Sequence, residues 1–100
     1  MNIEILKEAE DELSDAISYY EGISNGLGPR IKEEARQNIR WICEPPFAPR
    51  IRSKGYRRIN LKVFPYYIAH FIFADTIWVV AFAHSRKRPE YWIKRKKNIS

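Results

Sequence analysis

Residues 66–84 read YYIAHFIFADTIWVVAFAH, and this stretch decides the fold. It holds two segments, 66–74 and 77–84, that are rich in aromatic and β-branched residues, which favour strands. Asp75 and Thr76 separate them and predict a tight hairpin turn. Because both segments are almost continuously apolar, we expect them at the centre of a sheet, as antiparallel neighbours.

A further strand is predicted on each side of this hairpin. Residues 2–6 alternate and predict a short first strand. Residues 56–63 also alternate, and the turn at Phe64 and Pro65 joins them to the hairpin. Their apolar and polar side chains separate onto two sides, with Ile59, Leu61 and Val63 on one and Arg58, Asn60 and Lys62 on the other.

Two helices are predicted between the first strand and residue 44. Residues 7–22 and 27–43 each carry one apolar stripe at helical spacing. Gly22 and Gly26 end the first helix, and Pro45 and Pro46 stop the second. The stripes comprise Ala9, Leu13, Ala16, Ile17 and Tyr20 in the first helix, and Ile31, Ala35, Ile39 and Ile42 in the second.

The order β-α-α-β-β-β predicts an α+β fold formed by residues 1–100 as a single domain with one core. The helical hairpin covers one face of a mostly antiparallel, four-stranded sheet. The other face, with Arg58 and the C-terminal basic cluster, remains for function. A short helical turn begins at Pro89, and residues 94–100 are expected to be frayed.

The charge is distributed unevenly along the chain. Its net charge is +6, yet residues 1–50 carry −4 and residues 51–100 carry +10. Such an asymmetry favours a basic working surface that faces nucleic acid or an acidic protein segment. The alternative is a basic face that only keeps the protein soluble.

Several other classes of protein are excluded. The single cysteine, Cys43, rules out a disulfide framework, and a structural role is favoured over a catalytic pair with His70 or His84. The histidines lack a compact metal-ligand spacing, and no glycine-rich phosphate loop is present, so no metal and no cofactor is predicted. Without a secretory signal or an apolar run of about 20 residues, a soluble cytoplasmic protein is expected.

One basic and aromatic cluster remains as the candidate site. Arginine binds phosphates through paired hydrogen bonds, and aromatic rings stack on bases. Metal-free RNA cleavage also fits, with His84 as the base or the acid. In the structural alternative, Arg57 pairs with an acidic residue of the helical hairpin, Tyr91 and Trp92 cap the core, and residues 86–88 are a solvated charge run. The cluster comprises Arg57, Arg58, His84, Arg86, Arg88, Tyr91 and Trp92.

Three motifs, in the same order along the chain, resemble the RelE/ParE toxin superfamily. They are YRRINL at 56–61, FPY at 64–66 and HSRKRPEYW at 84–92. Its helical hairpin is similar to Ala9, Asp11 and Leu13, followed by Tyr19-Tyr20 and Gly26-Leu27-Gly28. The resemblance implies the fold predicted above and the toxin half of a type II toxin–antitoxin module, neutralised by a cognate antitoxin.

The superfamily has two principal activities. RelE-type toxins cut mRNA at the ribosome with scattered basic residues and a late tyrosine, whereas ParE-type toxins inhibit DNA gyrase. On the positions of the RelE-type pattern stand Arg58, Asn60, Tyr67, Arg86 and Trp92, of which only the two arginines keep the charge. The ending at 84–92 is more similar to the ParE-type branch, which is linked to plasmid stabilisation.

Three interpretations therefore stand. The first is a ParE-like gyrase inhibitor that is not an enzyme, whose Arg57, Arg58, Arg86, Arg88, Tyr91 and Trp92 contact the target or the antitoxin. The second is an mRNA endonuclease acting on the ribosome, with Arg58, His84, Arg86 and Tyr91 as catalytic residues. The third is a non-toxic nucleic-acid-binding domain.

Overall fold

The computed structural model describes residues 1–44 and 49–99, and the prolines expected to stop the second helix lie outside them. A four-stranded sheet has the order β1-β4-β3-β2, in which β1 runs parallel to β4 and the other pairs are antiparallel. This confirms the α+β prediction and the two inner strands. The elements are β1 (Asn2–Ile5), α1 (Lys7–Ile23), α2 (Leu27–Cys43), β2 (Arg57–Asn60), β3 (Tyr66–Phe73), β4 (Thr76–His84), a 3₁₀ turn (Pro89–Tyr91) and the C-terminal segment (Ile93–Ile99).

The helical hairpin packs on one face of the sheet, with α1 in contact with both α2 and β4. Its connection is held by the Glu21 carboxylate, which accepts the backbone N–H groups of Gly26 and Gly28 at 3.0 and 2.9 Å. Gly26 has a φ of 95°, a conformation that L side chains rarely adopt. At Gly28 a Cβ would lie 3.1 Å from the backbone oxygen of Ile17, so glycine permits the close approach of the two helices.

The turn between β3 and β4 lies one residue earlier than predicted. Ala74 and Asp75 both have positive φ, 52° and 62°, as the two central residues of a type I′ turn require. Thr76 is therefore the first residue of β4. The strand predicted over 56–63 is also shorter, because it leaves the sheet after Asn60, and Val63 is exposed.

The sheet has a core on each face, so the predictions of one core and of a face left open for function were wrong. The second core is formed by Tyr56, Tyr67, Ala69, Phe71, Val80, Ala81, Ala83, Trp92 and Ile99. Since β3 and β4 are apolar at almost every position, both of their faces have to be covered. The C-terminal segment supplies part of this cover, and Ile99 is 7% exposed, so the expected fraying is also wrong.

A bulge in β4 shapes the edge of the sheet. Ala81 pairs with Ala69 and Val79 with His70, so the register skips Val80. Beyond Val79 no β1 residue continues the pairing in the described register. Beyond that point, side chains form hydrogen bonds to the backbone of β4. The Phe82 N–H donates to Glu12 at 3.1 Å, and Arg95 donates to the backbone oxygen of Val80 at 2.9 Å.

Candidate functional site

Arg86 and Arg88 are exposed in a tight turn that follows β4. We call residues 85–88 the arginine turn. Its backbone is fixed at both ends, because the Ser85 N–H donates to the Pro65 oxygen at 2.7 Å and the Lys87 N–H to the His84 oxygen at 2.8 Å. A rigid turn of this kind presents its cations to a partner without a large loss of conformational entropy.

His84 ends β4 beside the arginine turn and is half-buried. Its Nδ1 accepts the backbone N–H of Arg86 at 3.1 Å, and its ring lies 5.4 Å from that of Tyr66. In the neutral imidazole one nitrogen accepts and the other carries the proton, so here the proton belongs on Nε2. The backbone thus occupies Nδ1, and Nε2 is the ring nitrogen that remains for a partner or a substrate.

Tyr67 and Trp92 are joined in the second core by a hydrogen-bond chain. The Trp92 Nε1–H donates to the Tyr67 hydroxyl at 2.7 Å, and that hydroxyl donates to the Lys87 backbone oxygen at 2.9 Å. Burial raises the pKa of Tyr67 above its ordinary value of 10.0, against the Trp92 hydrogen bond and nearby Arg58, which lower it. Trp92 is only 1% exposed, so it caps the core and positions the arginine turn instead of facing a partner.

Arg58 lies on the same face of the sheet as Tyr67. Its guanidinium carbon is 3.8 Å from the centroid of the Tyr67 ring, and its Nη2 donates to the Asn60 Oδ1 at 2.8 Å. This cation–π contact and hydrogen bond hold the side chain in place. Arg57 points to the opposite, helix-covered face with Ile59 and is half-buried across from His70.

A groove of about 270 Å³ separates α1 from the end of β4. Tyr91, about half exposed, lines it together with His84 and Lys87, and the Lys87 ammonium lies 4.8 Å from the centroid of the Tyr91 ring. Glu12 and Asp15 of α1 also line the groove. These carboxylates make it a mixed-charge groove that disfavours a phosphate backbone.

Glu12 and Arg95 form an ion pair that the sequence analysis missed. The Arg95 Nη1 and Nη2 donate to the two Glu12 oxygens at 2.9 and 3.0 Å, and each side chain is 16% exposed. Burial opposes the charge on Arg95, but the Glu12 carboxylate outweighs it and raises the pKa of the guanidinium. Little in the sequence indicated this pair. Glu12 lies near the N-terminus of α1, where the helix dipole by itself favours acidic residues.

The structure brings together only part of the predicted catalytic set. His84 and Tyr91 share the groove, and Arg86 is exposed in the neighbouring turn. Arg58 is separated from His84 by the sheet, because alternation places Arg58 with the second core and His84 on the side of Tyr66 and the helices. Within residues 1–44 and 49–99, no group of three or more potential metal ligands occurs.

These features define a small α+β protein with exposed cations on a rigid turn at one end of its sheet. The family model for the ParE toxin of type II toxin–antitoxin systems, parDE, matches residues 3–89. The chain therefore belongs to the ParE toxin family, and the RelE/ParE resemblance is confirmed. It is a ParE-type toxin of a type II toxin–antitoxin system, and the family implies a cognate antitoxin as partner.

Two solved structures share the fold of this chain. A chain of the chromosomal ParDE TA system from P. aeruginosa superposes with a TM-score of 0.74 at 14% identity, covering 84% of this chain and 95% of that one. The isolated E. coli RelE toxin superposes with a TM-score of 0.63 at 15% identity, covering 99% and 98%. A sequence search of curated proteins gives no match. None of the described helices is long and apolar enough to cross a membrane.

Proposed function

We propose that this ParE-family toxin blocks growth by inhibiting DNA gyrase and that it does not cut mRNA. The observation that carries the proposal is the separation of Arg58 from His84 by the sheet. Cleavage of RNA without a metal needs a base, an acid and cations around one phosphate. In this structure His84 and Tyr91 share one groove, and Arg58 lies across the sheet from them.

The contacts of Tyr67 and Trp92 support the same conclusion. They occupy positions where the RelE-type pattern has a cation and a phenol, yet they are bonded to each other inside the second core. Neither presents a polar group to a substrate. Without that cation and that phenol, the rate of each step that they would assist should be about 10²–10⁴-fold lower.

The arginine turn is the surface that we assign to the target. Arg86 and Arg88 are exposed on a fixed backbone, and arginine is enriched among the residues that dominate protein interfaces. Half-exposed Tyr91 lies beside them and adds apolar contact area. Since gyrase acts in the cytoplasm, the proposal also places the toxin there.

Two assays decide between the activities. Purified protein is added to DNA gyrase in a supercoiling assay and to a purified translation system whose mRNA is mapped by primer extension. We expect gyrase inhibition and no discrete cuts. Discrete cuts at the ribosomal A site that vanish in Arg86→Ala or His84→Ala would overturn the proposal in favour of the endonuclease.

A matched pair of variants tests the assigned surface. Arg86→Ala with Arg88→Ala should weaken gyrase inhibition by at least about tenfold, because truncating an arginine that dominates an interface costs about 2 kcal/mol or more. Lys32→Ala with Arg36→Ala removes the same charge from exposed positions on α2 and should leave inhibition within about twofold. Equal effects of both pairs would show that only net charge matters and would remove the arginine turn from the proposal.

A further inference from the structure

One carboxylate of the helical hairpin binds the backbone of the turn between β2 and β3. Glu34 lies on α2 and is half-buried. Its Oε2 accepts the backbone N–H groups of Lys62 and Val63 at 2.7 and 3.0 Å, and its Oε1 accepts that of Phe64 at 3.3 Å. Successive N–H groups that converge in this way form a concavity that binds an anion, and here the chain supplies the anion itself.

These hydrogen bonds explain where β2 ends. The alternation of apolar and polar residues continues to Val63, yet the strand stops at Asn60. The amides of the turn are bound by the carboxylate on α2 instead. Phe64 is buried against Tyr20 of α1, with the ring centroids 5.0 Å apart. The turn is therefore fixed to the helical hairpin through its backbone and through one side chain.

The same turn supports the arginine turn. Pro65 directly follows Phe64, and its backbone oxygen accepts the N–H of Ser85, the first residue of the arginine turn, at 2.7 Å. The Glu34 carboxylate thus holds the residues that place this oxygen. A displacement of residues 62–64 would move the acceptor on which the start of the arginine turn depends.

We infer that Glu34 is a positioning residue, which holds Arg86 and Arg88 in the arrangement that binds the target. The inference rests on the proposed function, in which the arginine turn contacts gyrase, and it adds α2 to the elements on which that surface depends. Without the carboxylate, the N–H groups of the turn lose their acceptor and the Pro65 oxygen is no longer held in place. The target must then order the arginine turn on binding, which lowers the affinity.

A second support of the arginine turn limits the expected effect. The Tyr67 hydroxyl donates to the Lys87 backbone oxygen at 2.9 Å, and this contact comes from β3 and the second core. It should persist when Glu34 is replaced. We therefore expect the arginine turn to lose order first at Ser85, and gyrase inhibition to weaken about five- to tenfold without being abolished.

The test compares Glu34→Gln with the control Glu33→Gln in the complete chain. Glutamine is nearly the same size, but its amide places N–H donors where the turn also presents donors. Glu33 is exposed on α2 and contacts Arg36 and Gln37 of the same helix, so its replacement removes the same charge away from the turn. In a supercoiling assay on folded protein, Glu34→Gln should inhibit gyrase about five- to tenfold less than the wild type, and Glu33→Gln should remain within about twofold.

Amide hydrogen exchange separates positioning from a loss of overall stability. In Glu34→Gln the Ser85 N–H should exchange at least about tenfold faster, while the amides of β3 stay within about threefold of the wild type. A residue that only stabilises the fold would accelerate exchange throughout the sheet by one factor and leave inhibition by the folded protein unchanged. That result would overturn the positioning role.

Glu34→Ala allows a rescue experiment. Glu34 lines two grooves of about 290 and 430 Å³, so a small carboxylate can reach the concavity once the side chain is removed. Sodium acetate should restore part of the lost inhibition, whereas sodium chloride at the same ionic strength should not. Equal responses to the two salts would overturn the role of the carboxylate. Should Glu34→Gln fail to fold, Glu34→Asp keeps the charge on a shorter side chain and should show a smaller loss in the same direction.

The outcomes distinguish this inference from the proposed function. A wild-type toxin that leaves gyrase active overturns gyrase as the target, and Ser85 exchange then decides the positioning role by itself. Faster exchange confined to the arginine turn supports that role, and unchanged or uniformly faster exchange overturns it. Gyrase inhibition by the wild type that is undiminished in Glu34→Gln overturns only the positioning role.

Discussion

Tyr67 has a structural role at a position where the RelE-type pattern has a cation. Its hydroxyl accepts from Trp92 and donates to the backbone of Lys87, so it links the second core to the arginine turn. An arginine at this fully buried position would need a carboxylate partner to offset the loss of hydration. The phenol meets the same packing demand without a charge.

The pH dependence of stability tests this role. Burial raises the pKa of Tyr67, so the stability that its neutral form contributes is complete below pH 10.0 and is lost as the pH rises through the higher folded-state pKa. Tyr67→Phe should lower the free energy of unfolding by about 1–3 kcal/mol at pH 7 because two hydrogen bonds are lost. That difference should shrink above pH 10.0, as measured by urea unfolding between about pH 7 and 11. A constant difference would mean that the hydroxyl does not titrate with unfolding.

For single residues, the sequence predicted those side-chain positions that depend only on neighbours along the chain. Alternation placed Arg58 and Asn60 on one side of a strand, and their hydrogen bond confirms it. It did not reveal that Trp92 is buried, because that depends on a contact with Tyr67, 25 residues earlier. The groove shared by His84 and Tyr91 likewise requires α1, whose position comes only from tertiary packing.

The C-terminal segment is the element that the sequence described least well. It reads IKRKKNI, with apolar residues only at its two ends, so neither helical nor strand periodicity is present. Its position is fixed by long-range contacts instead. Arg95 pairs with Glu12 across 83 residues of sequence, and Ile99 enters the second core.

The ion pair should therefore hold the segment in place. Glu12→Gln should reduce the free energy of unfolding by about 2 kcal/mol, because hydrogen bonds to charged groups in partly buried sites contribute about 1.5–3 kcal/mol. The amides of the C-terminal segment should also exchange faster in a hydrogen-exchange experiment.

A matched pair on the surface provides the control for this prediction. Lys7 and Asp11 lie one turn apart on α1, 3.2 Å from each other, and both are exposed. Asp11→Asn should change stability by less than about 0.5 kcal/mol. A similar loss in Glu12→Gln and Asp11→Asn would show that the buried geometry of the first pair is unimportant.

At the scale of the whole molecule, two groups of cations lie at opposite ends of one sheet. The arginine turn follows β4 at one end, and Lys94, Lys96 and Lys97 lie beside the far end of β3. Both arise from residues 51–100, which carry +10, while the −4 of residues 1–50 lies largely on the helical hairpin. Partners of opposite charge are thus steered toward the sheet ends rather than toward the helices.

Steering of this kind should appear in the association kinetics of the toxin–antitoxin complex. For an acidic antitoxin, the association rate constant should fall about tenfold or more between about 50 mM and 500 mM NaCl, since the Debye length shrinks from about 14 Å to about 4 Å. The dissociation rate constant should change much less, because desolvated pairs are screened weakly. Stopped-flow fluorescence of the toxin's three tryptophans follows both rates.

The variant Arg86→Gln/Arg88→Gln should show a shallower salt dependence of association than Lys32→Gln/Arg36→Gln. An association rate that is independent of salt would show that the charge asymmetry does not guide the encounter.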